Sequence, residues 1–294
     1  MTSPLEAIKQ AFANAHAAGR AALMPYHTLG YPTPALSLDI VEAAAGAGAN
    51  LIELGVPFSD PLADGPTIQR STQAALEQGM TLQRSLEMVA GLRQRGVQVP
   101  LLLMGYYNPL LSFGLERLAK EAAAAGANGF IVPDLPMEEA ADLEAACRSH
   151  DLALIYMLAP TSTPERIAAT AGRSQGFLYL VSLTGVTGAR QGLPGDLADF
   201  ISRVRQSSSI PLAVGFGIST PEQAAAVGKL ADGVIVGSAF INAVDQDPVD
   251  PARSAGHFTA SLRAALEPAA ALPLAQPIPN PTIPDDPTHG FLGC

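Results

Sequence analysis

The sequence predicts an α/β protein, and within that class a (β/α)8 TIM barrel. Eight short apolar runs alternate with Ala-rich stretches whose apolar residues recur at helical spacing, which is the order expected of parallel strands joined by helices. The runs are apolar at nearly every position, as strands are when helices cover both faces of a sheet. Eight such units in about 250 residues match a closed barrel.

The predicted strands are these apolar runs. They occupy residues 22–28, 51–54, 100–105, 129–132, 152–158, 177–182, 212–216 and 233–236. A doubly wound open sheet is the alternative, but that fold usually has fewer strands and a glycine-rich phosphate turn after the first one. Residues 29–32 lack such a turn, and the glycine-rich turns lie late in the chain, so the barrel is favoured.

Two helices are predicted in addition to the strand–helix units. Residues 1–18 place apolar residues at helical spacing before the first strand, which predicts an extra N-terminal helix. A short helix is predicted after the eighth strand, where Gly237 and Ser238 open the segment 239–243. Because residues 1–18 lack the basic start and apolar centre of a signal peptide, and no run reaches the roughly 18 apolar residues of a membrane span, we expect a cytoplasmic protein.

Three joints between a helix and the following strand share one pattern. In residues 48–52, 126–131 and 230–235 a helix ends, small residues turn the chain, an Asn or Asp follows, and an apolar strand begins. Glycine suits helix ends because it accepts a left-handed backbone. The period varies too much for a solenoid, so the pattern supports repeated units within one barrel.

Composition argues against several classes of function. The chain has 294 residues, of which 48% are hydrophobic and 15% charged, with a formal net charge of −10 and a pI of about 4.9. It has no basic stripe, which argues against nucleic acid as a partner. Two cysteines, Cys147 in a predicted helix and Cys294 at the end, make no disulfide framework and fit a reducing compartment. The five histidines lack the spacing of metal ligands, so no metal site is expected.

The composition changes from residue 267 onward. The last 28 residues contain seven prolines and no Lys or Arg, a composition that disfavours both helix and strand. We therefore expect one barrel domain over residues 1–266 and a disordered or loosely docked tail over residues 267–294.

Two carboxylates eleven positions apart, Glu53 and Asp64, are the strongest functional candidates. Glu53 closes a run that is typical of a buried strand, and Asp64 lies in the Pro- and Gly-rich loop that follows. A buried carboxylate is costly to desolvate, and burial raises its pKa into a range that suits general acid/base catalysis. A structural carboxylate that caps a backbone group is the alternative for Glu53 alone, but the rigid loop and the second acid favour catalysis.

The segment 51–65, continued by residues 67–69, resembles the signature of the tryptophan synthase alpha chain family. Further segments that look like the family lie at residues 106–109, 132–136, 159–162, 184–188 and 215–219, so the likeness covers about residues 1–266. The resemblance implies a carbon–carbon lyase that cleaves indole-3-glycerol phosphate to indole and glyceraldehyde 3-phosphate. It also implies a beta chain as partner in an α2β2 assembly, with pyridoxal phosphate in the beta chain only and no cofactor on this chain.

The two acids fit the chemistry of that cleavage. The indole ring must gain a proton at carbon 3, and the neighbouring side-chain hydroxyl must lose one as the carbon–carbon bond breaks. Glu53 is the candidate that carries both protons, and Asp64 is the candidate that stabilises positive charge near the indole N–H. The resemblance implies the same roles. Asp60 is interpreted as a turn residue or a contact to the partner, and Asp134 as structural or interfacial.

Three turns rich in small residues lie in the second half of the chain, where barrels of this type bind phosphate. They follow the sixth, seventh and eighth predicted strands, at residues 184–189, 217–219 and 237–238. Glycine lets backbone N–H groups approach an anion, and a helix start adds free donors, although each turn alone is also ordinary turn or cap chemistry. By resemblance, the phosphate ligands are Gly188, Gly217, Gly237 and Ser238.

An indole pocket needs flat apolar walls. By resemblance, the residues that form it are Tyr26, Met104, Tyr106, Ile131, Met157, Tyr179, Thr187, Phe216 and Ile235. Without the resemblance, most of these would be interpreted as barrel core. Two positions depart from the family pattern, namely Leu183, where many relatives carry Arg, and Tyr31, where many carry an acid, and they leave loop details and subunit signalling open.

Two other functions are compatible with these features. A phosphosugar isomerase on the same scaffold would also need two acids and a phosphate site, but it would not release indole from indole-3-glycerol phosphate. A non-enzymatic regulatory subunit would keep the barrel, and the intact pair of Glu53 and Asp64 argues against it.

Overall fold

The computed structural model describes residues 2–181, 195–215 and 217–267. Within these ranges it contains one sheet of nine strands surrounded by helices. The strands are β1 Ala22–Thr28, β2 Ile52–Gly55, β3 Leu101–Met104, β4 Gly129–Ile131, β5 Ala153–Ile155, β6 Met157–Leu158, β7 Leu178–Val181, β8 Leu212–Gly215 and β9 Gly233–Val236. Each of the eight predicted strands is present, and the predicted fifth strand is divided at Tyr156 into β5 and β6.

The helices fill the intervals between these strands. They are α1 Pro4–Ala17, α2 Pro34–Gly46, α3 Pro66–Glu77, α4 Leu82–Gln94, α5 Tyr107–Phe113, α6 Leu115–Ala125, α7 Ala141–Ser149, α8 Pro164–Arg173, α9 Gly195–Arg205, α10 Pro221–Gly228, α11 Ser238–Gln246 and α12 Pro251–Ala265, with a 3-10 turn at Met137–Glu139. The predicted N-terminal helix is α1, and the predicted short helix after the last strand is α11.

Local sequence explains where several helices begin. A Ser, Thr or Asp stands at the cap position, its side chain accepts a hydrogen bond from the backbone N–H three residues further on, and a proline follows it as the first helical residue. The five cap residues of this kind are Ser3, Thr33, Thr163, Thr220 and Asp250. The cap satisfies one free N–H of the first turn, and proline has no N–H to leave unsatisfied there.

The sheet closes into a barrel at Tyr156. The strand order is β5-β4-β3-β2-β1-β9-β8-β7-β6, and every pairing in the described residues is parallel. The two terminal strands of this order, β5 and β6, are separated along the chain by Tyr156 alone. The Tyr156 carbonyl accepts a hydrogen bond from the Tyr179 N–H at 3.0 Å, so the ladder continues across the gap. The doubly wound alternative, an open sheet, is therefore excluded.

The inside of the barrel is filled by apolar side chains, and α1 covers its N-terminal end. Ile8 and Phe12 of α1 belong to the same buried cluster as Met24, Leu51 and other inward residues of the strands. The rings of Phe12 and Phe177 lie 5.3 Å apart, centroid to centroid. The helix thus closes one end of the barrel and leaves the C-terminal ends of the strands as the accessible face.

At the N-terminal end, the three joints predicted from their shared pattern have the same structure. In each, the Asn or Asp before a strand exchanges two hydrogen bonds with one residue of the neighbouring strand, using its backbone N–H and its side-chain oxygen. The pairs are Asn50 with Leu23 (2.8 and 3.0 Å), Asn128 with Leu101 (2.8 and 2.9 Å) and Asp232 with Leu212 (2.9 and 2.8 Å). We call these three residues the strand clamps.

An arginine completes each strand clamp. The arginine lies near the end of the helix that precedes the strand of the leucine partner. It donates a hydrogen bond to the same side-chain oxygen that accepts from the leucine N–H. The contacts are Arg20 to Asn50 at 3.0 Å, Arg93 to Asn128 at 2.8 Å and Arg205 to Asp232 at 2.6 Å. Each clamp therefore ties a helix end, a strand start and the next strand together at the face opposite the candidate site.

Candidate active site

Glu53 lies on the inner side of the barrel wall, near the C-terminal end of β2. Side chains alternate along a strand, and Leu51, two residues earlier, belongs to the inner cluster. Across the sheet, Glu53 stands beside Tyr26 of β1 and Leu102 of β3. The alternation along β2 thus places this carboxyl on the same side as Leu51, inside the barrel.

The Glu53 carboxyl is buried, and one of its oxygens lacks a hydrogen-bond partner in the described part of the chain. The residue is 1% exposed, and Oε1 has no hydrogen-bond partner among the described residues. Burial, and secondarily the charge of Asp64, raises the pKa of Glu53 to about 8. The carboxyl group therefore holds its proton at neutral pH and is able to donate it.

Asp64 lies in the loop between β2 and α3 and is half-buried. Burial raises its pKa to about 6, and the Tyr106 hydroxyl opposes this rise by stabilising the carboxylate. Asp64 is consequently ionised at neutral pH while Glu53 is protonated. Two carboxyl groups with separated pKa values at one site can divide the acid and charge-stabilising roles between them.

The loop that carries Asp64 is anchored at two points. The Ala63 N–H donates to the Tyr106 hydroxyl at 2.9 Å, and the Gln69 side-chain amide donates to the Asp64 carbonyl at 2.8 Å. The ring of Phe58 lies 5.5 Å from that of Tyr106. Tyr106, two residues after the end of β3, thus holds the loop over the barrel mouth.

Two tyrosines reach into the barrel because the neighbouring strands end in glycine. A Cβ atom on Gly55 would lie 2.0 Å from the Tyr26 hydroxyl, and one on Gly215 would lie 2.4 Å from the Tyr179 hydroxyl. Burial raises the pKa of both tyrosines, so both stay neutral. Gly55 and Gly215 were not identified as site residues from the sequence. Their signal was a glycine at the end of an otherwise apolar strand.

The predicted indole-pocket residues that the structure describes share the inner wall of the barrel. Ile131, Tyr179 and Ile235 are buried members of the inner cluster, and Met104 and Met157 pack against it. Tyr26 and Tyr106 are buried near the two acids. Burial, and secondarily the charge of Asp64, raises the pKa of both hydroxyls. Thr187 and Phe216 lie outside the described residues, as does Leu183.

The predicted phosphate residues lie at the ends of two paired strands. Gly217, with φ +77°, follows β8, and Gly237 follows β9 as the residue before α11. Gly237 has φ −98° and ψ −91°, outside the main helical and extended regions. Ser238 is exposed at the start of α11, where the first N–H groups have no partner within the helix. Gly188 lies outside the described residues.

Two other acids near the site have local partners. Asp134, after β4, accepts a hydrogen bond from the Tyr107 N–H at 2.9 Å and so caps the start of α5. Asp60 is exposed and accepts a hydrogen bond from the Ser59 hydroxyl. Neither contact points to acid/base chemistry, and the Asp134 contact is structural.

The described part of the chain contains neither a metal site nor a membrane-spanning helix. Among those residues, no group of three or more His, Cys, Asp or Glu is arranged to hold a metal ion. None of the described helices combines the length and apolar character needed to cross a membrane. Cys147 is buried, and burial raises the pKa of its thiol to about 12, so it is a poor nucleophile.

Comparison with known proteins gives matches over most of the chain. Residues 12–270 match the family described as "Tryptophan synthase alpha chain". The curated tryptophan synthase alpha chain of Chloroflexus aurantiacus is 56% identical over 241 residues, covering 82% of this chain and 91% of that protein. That of Roseiflexus castenholzii is 52% identical over 257 residues, covering 87% and 98%.

Solved structures show the same similarity. A chain of Mycobacterium tuberculosis tryptophan synthase superposes with a TM-score of 0.82 at 40% identity, covering 88% of this chain and 98% of that chain. The tryptophan synthase alpha chain of Legionella pneumophila superposes with a TM-score of 0.83 at 35% identity, covering 90% and 99%.

Proposed function

This chain belongs to the tryptophan synthase alpha chain family, and we propose that it cleaves indole-3-glycerol phosphate with Glu53 as the proton carrier and Asp64 as the charge-stabilising partner. The reaction is a lyase step of tryptophan biosynthesis that yields indole and glyceraldehyde 3-phosphate. The observation that carries the assignment is the pair of buried or half-buried carboxyls, with pKa values of about 8 and about 6, at the same end of the barrel.

The reaction begins with proton transfer to the indole ring. Glu53, protonated at neutral pH, gives its proton to carbon 3, and the ring becomes a cation with its positive charge centred on the nitrogen. Asp64, ionised at neutral pH, accepts a hydrogen bond from the indole N–H and stabilises that charge. Because the carboxylate is in place before the charge develops, little reorganisation is needed.

The second step breaks the carbon–carbon bond. Glu53, now a carboxylate, takes the proton of the side-chain hydroxyl next to the ring. The oxygen forms the aldehyde, the bond to carbon 3 breaks, and its electron pair returns to the ring to restore indole. Glu53 ends the reaction protonated, as it began, so no external acid or base is consumed.

The remaining site residues position the substrate. Gly188, Gly217, Gly237 and Ser238 would bind the phosphate through backbone N–H groups and one hydroxyl. The pocket residues named above, from Tyr26 to Ile235, would hold the indole ring. The inner-wall positions of Ile131, Tyr179 and Ile235 support this arrangement, since the ring must lie within reach of Glu53.

The partner in this proposal is a tryptophan synthase beta chain, in an α2β2 assembly. Among the solved relatives, structures from Mycobacterium tuberculosis are described as tryptophan synthase and not as its alpha chain alone. Leu62, in the loop between β2 and α3 that carries Asp64 (the catalytic loop), and Leu111, on α5, are among the large apolar side chains exposed in the described residues, and a partner chain that covered them would bury apolar surface. Pyridoxal phosphate would belong to the beta chain, and this chain would need no cofactor.

We place the reaction in the cytoplasm, and we propose that residues 1–266 form the catalytic domain. The tail that begins at residue 267 would be dispensable for chemistry. Residues 268–294 lie outside the described part of the chain, so this division rests on their proline-rich composition.

The test is indole release from indole-3-glycerol phosphate by Glu53→Gln and Asp64→Asn, each with and without a beta chain. Loss of a positioned acid/base group costs roughly 10² to 10⁴ in rate, so we expect near-complete loss for Glu53→Gln and a severe loss for Asp64→Asn. Glu77→Gln, an exposed glutamate on α3, is the control and should behave as the unaltered chain. Normal turnover by Glu53→Gln would overturn the proton-carrier assignment, and an unaltered chain that releases no indole would favour an isomerase or a regulatory subunit.

A further inference from the structure

We propose that Tyr31, Arg70 and Asp245 are positioning residues that hold α3 against α11. Helix α3 follows the catalytic loop, and α11 begins at the predicted phosphate turn, residues 237–238. The three residues lie on three elements, namely the loop after β1, α3 and α11. We call the three side chains the polar bridge. The inference deepens the proposed function, because it concerns the distance between Asp64 and the phosphate site, and it rests on that function.

The three side chains of the polar bridge bind one another in a closed triangle. The Tyr31 hydroxyl donates to Asp245 Oδ1, Arg70 Nη1 donates to the Tyr31 hydroxyl oxygen at 2.8 Å, and Arg70 Nη2 donates to Asp245 Oδ2. The Arg70 guanidinium also lies 5.8 Å from the centre of the Tyr31 ring. Since each member has two partners, moving any one of the three elements breaks two contacts.

One side of the polar bridge acts on the catalytic loop. Helix α3 begins at Pro66, two residues after Asp64, and Gln69, next to Arg70, donates its side-chain amide to the Asp64 carbonyl at 2.8 Å. A shift of α3 therefore moves the backbone that carries Asp64. The position of the charge-stabilising carboxylate depends on where α3 is held.

The other side acts on the phosphate turn. Asp245 lies near the end of α11, whose first residue is Ser238. Ile68 of α3 faces the start of the same helix, since a Cβ on Gly237 would lie 3.7 Å from its Cδ1. Helix α3 thus contacts α11 through Ile68 and Arg70, two neighbouring positions of α3 that reach points roughly 12 Å apart along the axis of α11. These contacts hold α3 at a fixed distance from α11.

Tyr31 is itself held from the barrel wall. His27 of β1 contacts the Tyr31 carbonyl through Nε2 at 3.0 Å, and its ring packs edge-on against Phe240 of α11, with centroids 5.9 Å apart. Burial lowers the pKa of His27 to about 4, so the imidazole is neutral and Nε2–H is the donor. The tyrosine is therefore a fixed point between β1 and the two helices.

An ordinary surface ion pair is the alternative explanation for Arg70 and Asp245. Their side chains are 51% and 30% exposed, and pairs of this kind contribute little to stability. The two explanations make different predictions. A surface pair leaves catalysis unchanged when it is broken, whereas a positioning contact changes the kinetics even if the protein remains equally stable, because small misplacements of reacting groups are costly in rate.

The test compares two ion pairs of similar exposure. In full-length protein assayed with its beta chain, Arg70→Gln should lower kcat and raise KM for indole-3-glycerol phosphate, with kcat/KM falling about tenfold or more. Arg95→Gln breaks the contacts of Arg95, directly after α4, with Asp39 at 2.6 Å and Glu42 at 3.3 Å, both on α2. These contacts involve neither Asp64 nor the residues of the phosphate turn. The Arg95 variant should leave both constants unchanged.

Rescue distinguishes positioning from a general structural effect. Arg70→Asp and Asp245→Arg should each impair turnover, and the double exchange should recover most of it, because the pair is restored in the opposite direction. Tyr31→Phe, which removes one hydroxyl and keeps the ring, should give a smaller loss in kcat/KM of the same kind. It also carries the test if an Arg70 variant fails to fold by circular dichroism.

A second measurement separates this inference from the proposed function. Binding of inorganic phosphate, followed by calorimetry, should weaken in Arg70→Gln and not in Arg95→Gln. If the unaltered chain releases no indole but this difference appears, the proposed function is wrong and the polar bridge stands. If the unaltered chain releases indole, and Arg70→Gln matches Arg95→Gln in kcat, KM and phosphate binding, the polar bridge is only a surface contact and the inference is overturned.

Discussion

The two ends of the barrel differ in whether the side-chain oxygens of their polar residues are hydrogen-bonded. At the N-terminal end, each strand clamp pairs its side-chain oxygen with a backbone N–H and an arginine. At the C-terminal end, Glu53 is more deeply buried than these groups, at 1% exposed, yet Oε1 has no partner among the described residues. Satisfied polar groups in a protein interior stabilise the fold, and an unsatisfied one costs free energy.

The hydrogen-bonded groups at one end stabilise the fold, and the unpartnered carboxyl at the other end has the raised pKa that the proposed reaction needs. The clamps connect helix ends to strand starts and keep the barrel closed on the side that α1 covers. Burial, and secondarily the charge of Asp64, raises the pKa of Glu53, and no such contact opposes the rise. A carboxyl that found an arginine or several N–H groups would ionise at low pH and could not donate a proton at neutral pH. In the proposed reaction, the burial that costs stability is also what keeps Glu53 protonated and able to act as an acid.

The strongest test of the comparison removes a clamp. Asn128→Ala leaves the buried Leu101 N–H without its acceptor and Arg93 without one of its partners, so we expect the free energy of unfolding to fall by roughly 2–3 kcal/mol. The measurement is urea unfolding followed by circular dichroism. The kcat of the folded protein should stay unchanged, since the clamp lies at the opposite end from the acids.

Two further variants sharpen that result. Asn128→Asp copies the arrangement of Asp232 and should retain much of the lost stability. Asn14→Ala, which removes an exposed side-chain contact with Gln10 on α1, should change stability little. Loss of turnover by folded Asn128→Ala would contradict the division of roles between the two ends.

Glu53→Gln should gain stability where the clamp variant loses it, and the gain should depend on pH. The folded Glu53 keeps its proton up to a pKa of about 8, whereas the ordinary value is 4.5. The folded state then binds more protons than the unfolded state between these values, so the unfolding free energy of the unaltered chain falls as pH rises from about 4.5 to 8. Glutamine does not titrate and escapes this loss.

The expected advantage of Glu53→Gln is roughly 1–3 kcal/mol at pH 8 and close to zero at pH 4.5. Urea unfolding of both proteins at several pH values measures it. In the Asp64→Asn variant, the corresponding gain should be smaller and complete near pH 6, because the pKa of Asp64 is raised only to about 6. An advantage of Glu53→Gln that shrinks toward pH 8 would refute a buried, protonated Glu53.

The smallest expected effect is the pH dependence of turnover. The proposed reaction needs Asp64 ionised and Glu53 protonated, so kcat/KM for indole release should rise through pH 6 and fall through pH 8, the two raised pKa values. Beyond either limit the loss approaches about tenfold per pH unit. Asp60→Asn, in the same loop but exposed, is the control and should give the same profile. If kcat/KM stays constant from pH 5 to 9, neither acid takes part in the reaction as proposed.

Much of the fold was predictable because it depends on local patterns. The first and last predicted strands, residues 22–28 and 233–236, match β1 and β9 residue for residue. The other predicted strand ends that the structure describes differ from the observed ends by no more than one residue, and the predicted ends at residues 182 and 216 lie outside the described residues. The division at Tyr156 was not predicted, since residues 152–158 form an uninterrupted apolar run and only the pairing of its two halves with β4 and β7 shows the break.

The candidate site was predictable in part. The apolar run that Glu53 closes and the Pro- and Gly-rich loop that carries Asp64 identified the two acids, and the structure brings them to the same end of the barrel. The joint pattern located Asn50, Asn128 and Asp232, but their side-chain contacts with arginines 27 to 35 residues away were not evident. Tyr31 was noted only as a departure from the family, and its contacts with Arg70 and Asp245 span 39 and 214 residues.

The sequence by itself determined the alternation of strands and helices, the caps that begin the helices and the identity of the two acids. These depend on backbone geometry and on side chains a few residues apart, and such local interactions can be recognised in a short stretch of sequence. Tertiary structure alone decided where the barrel closes, which buried oxygens find a donor and which do not, and therefore how far each pKa moves. Desolvation and long-range pairing depend on everything that packs around a group, and that environment exists only once the chain has folded.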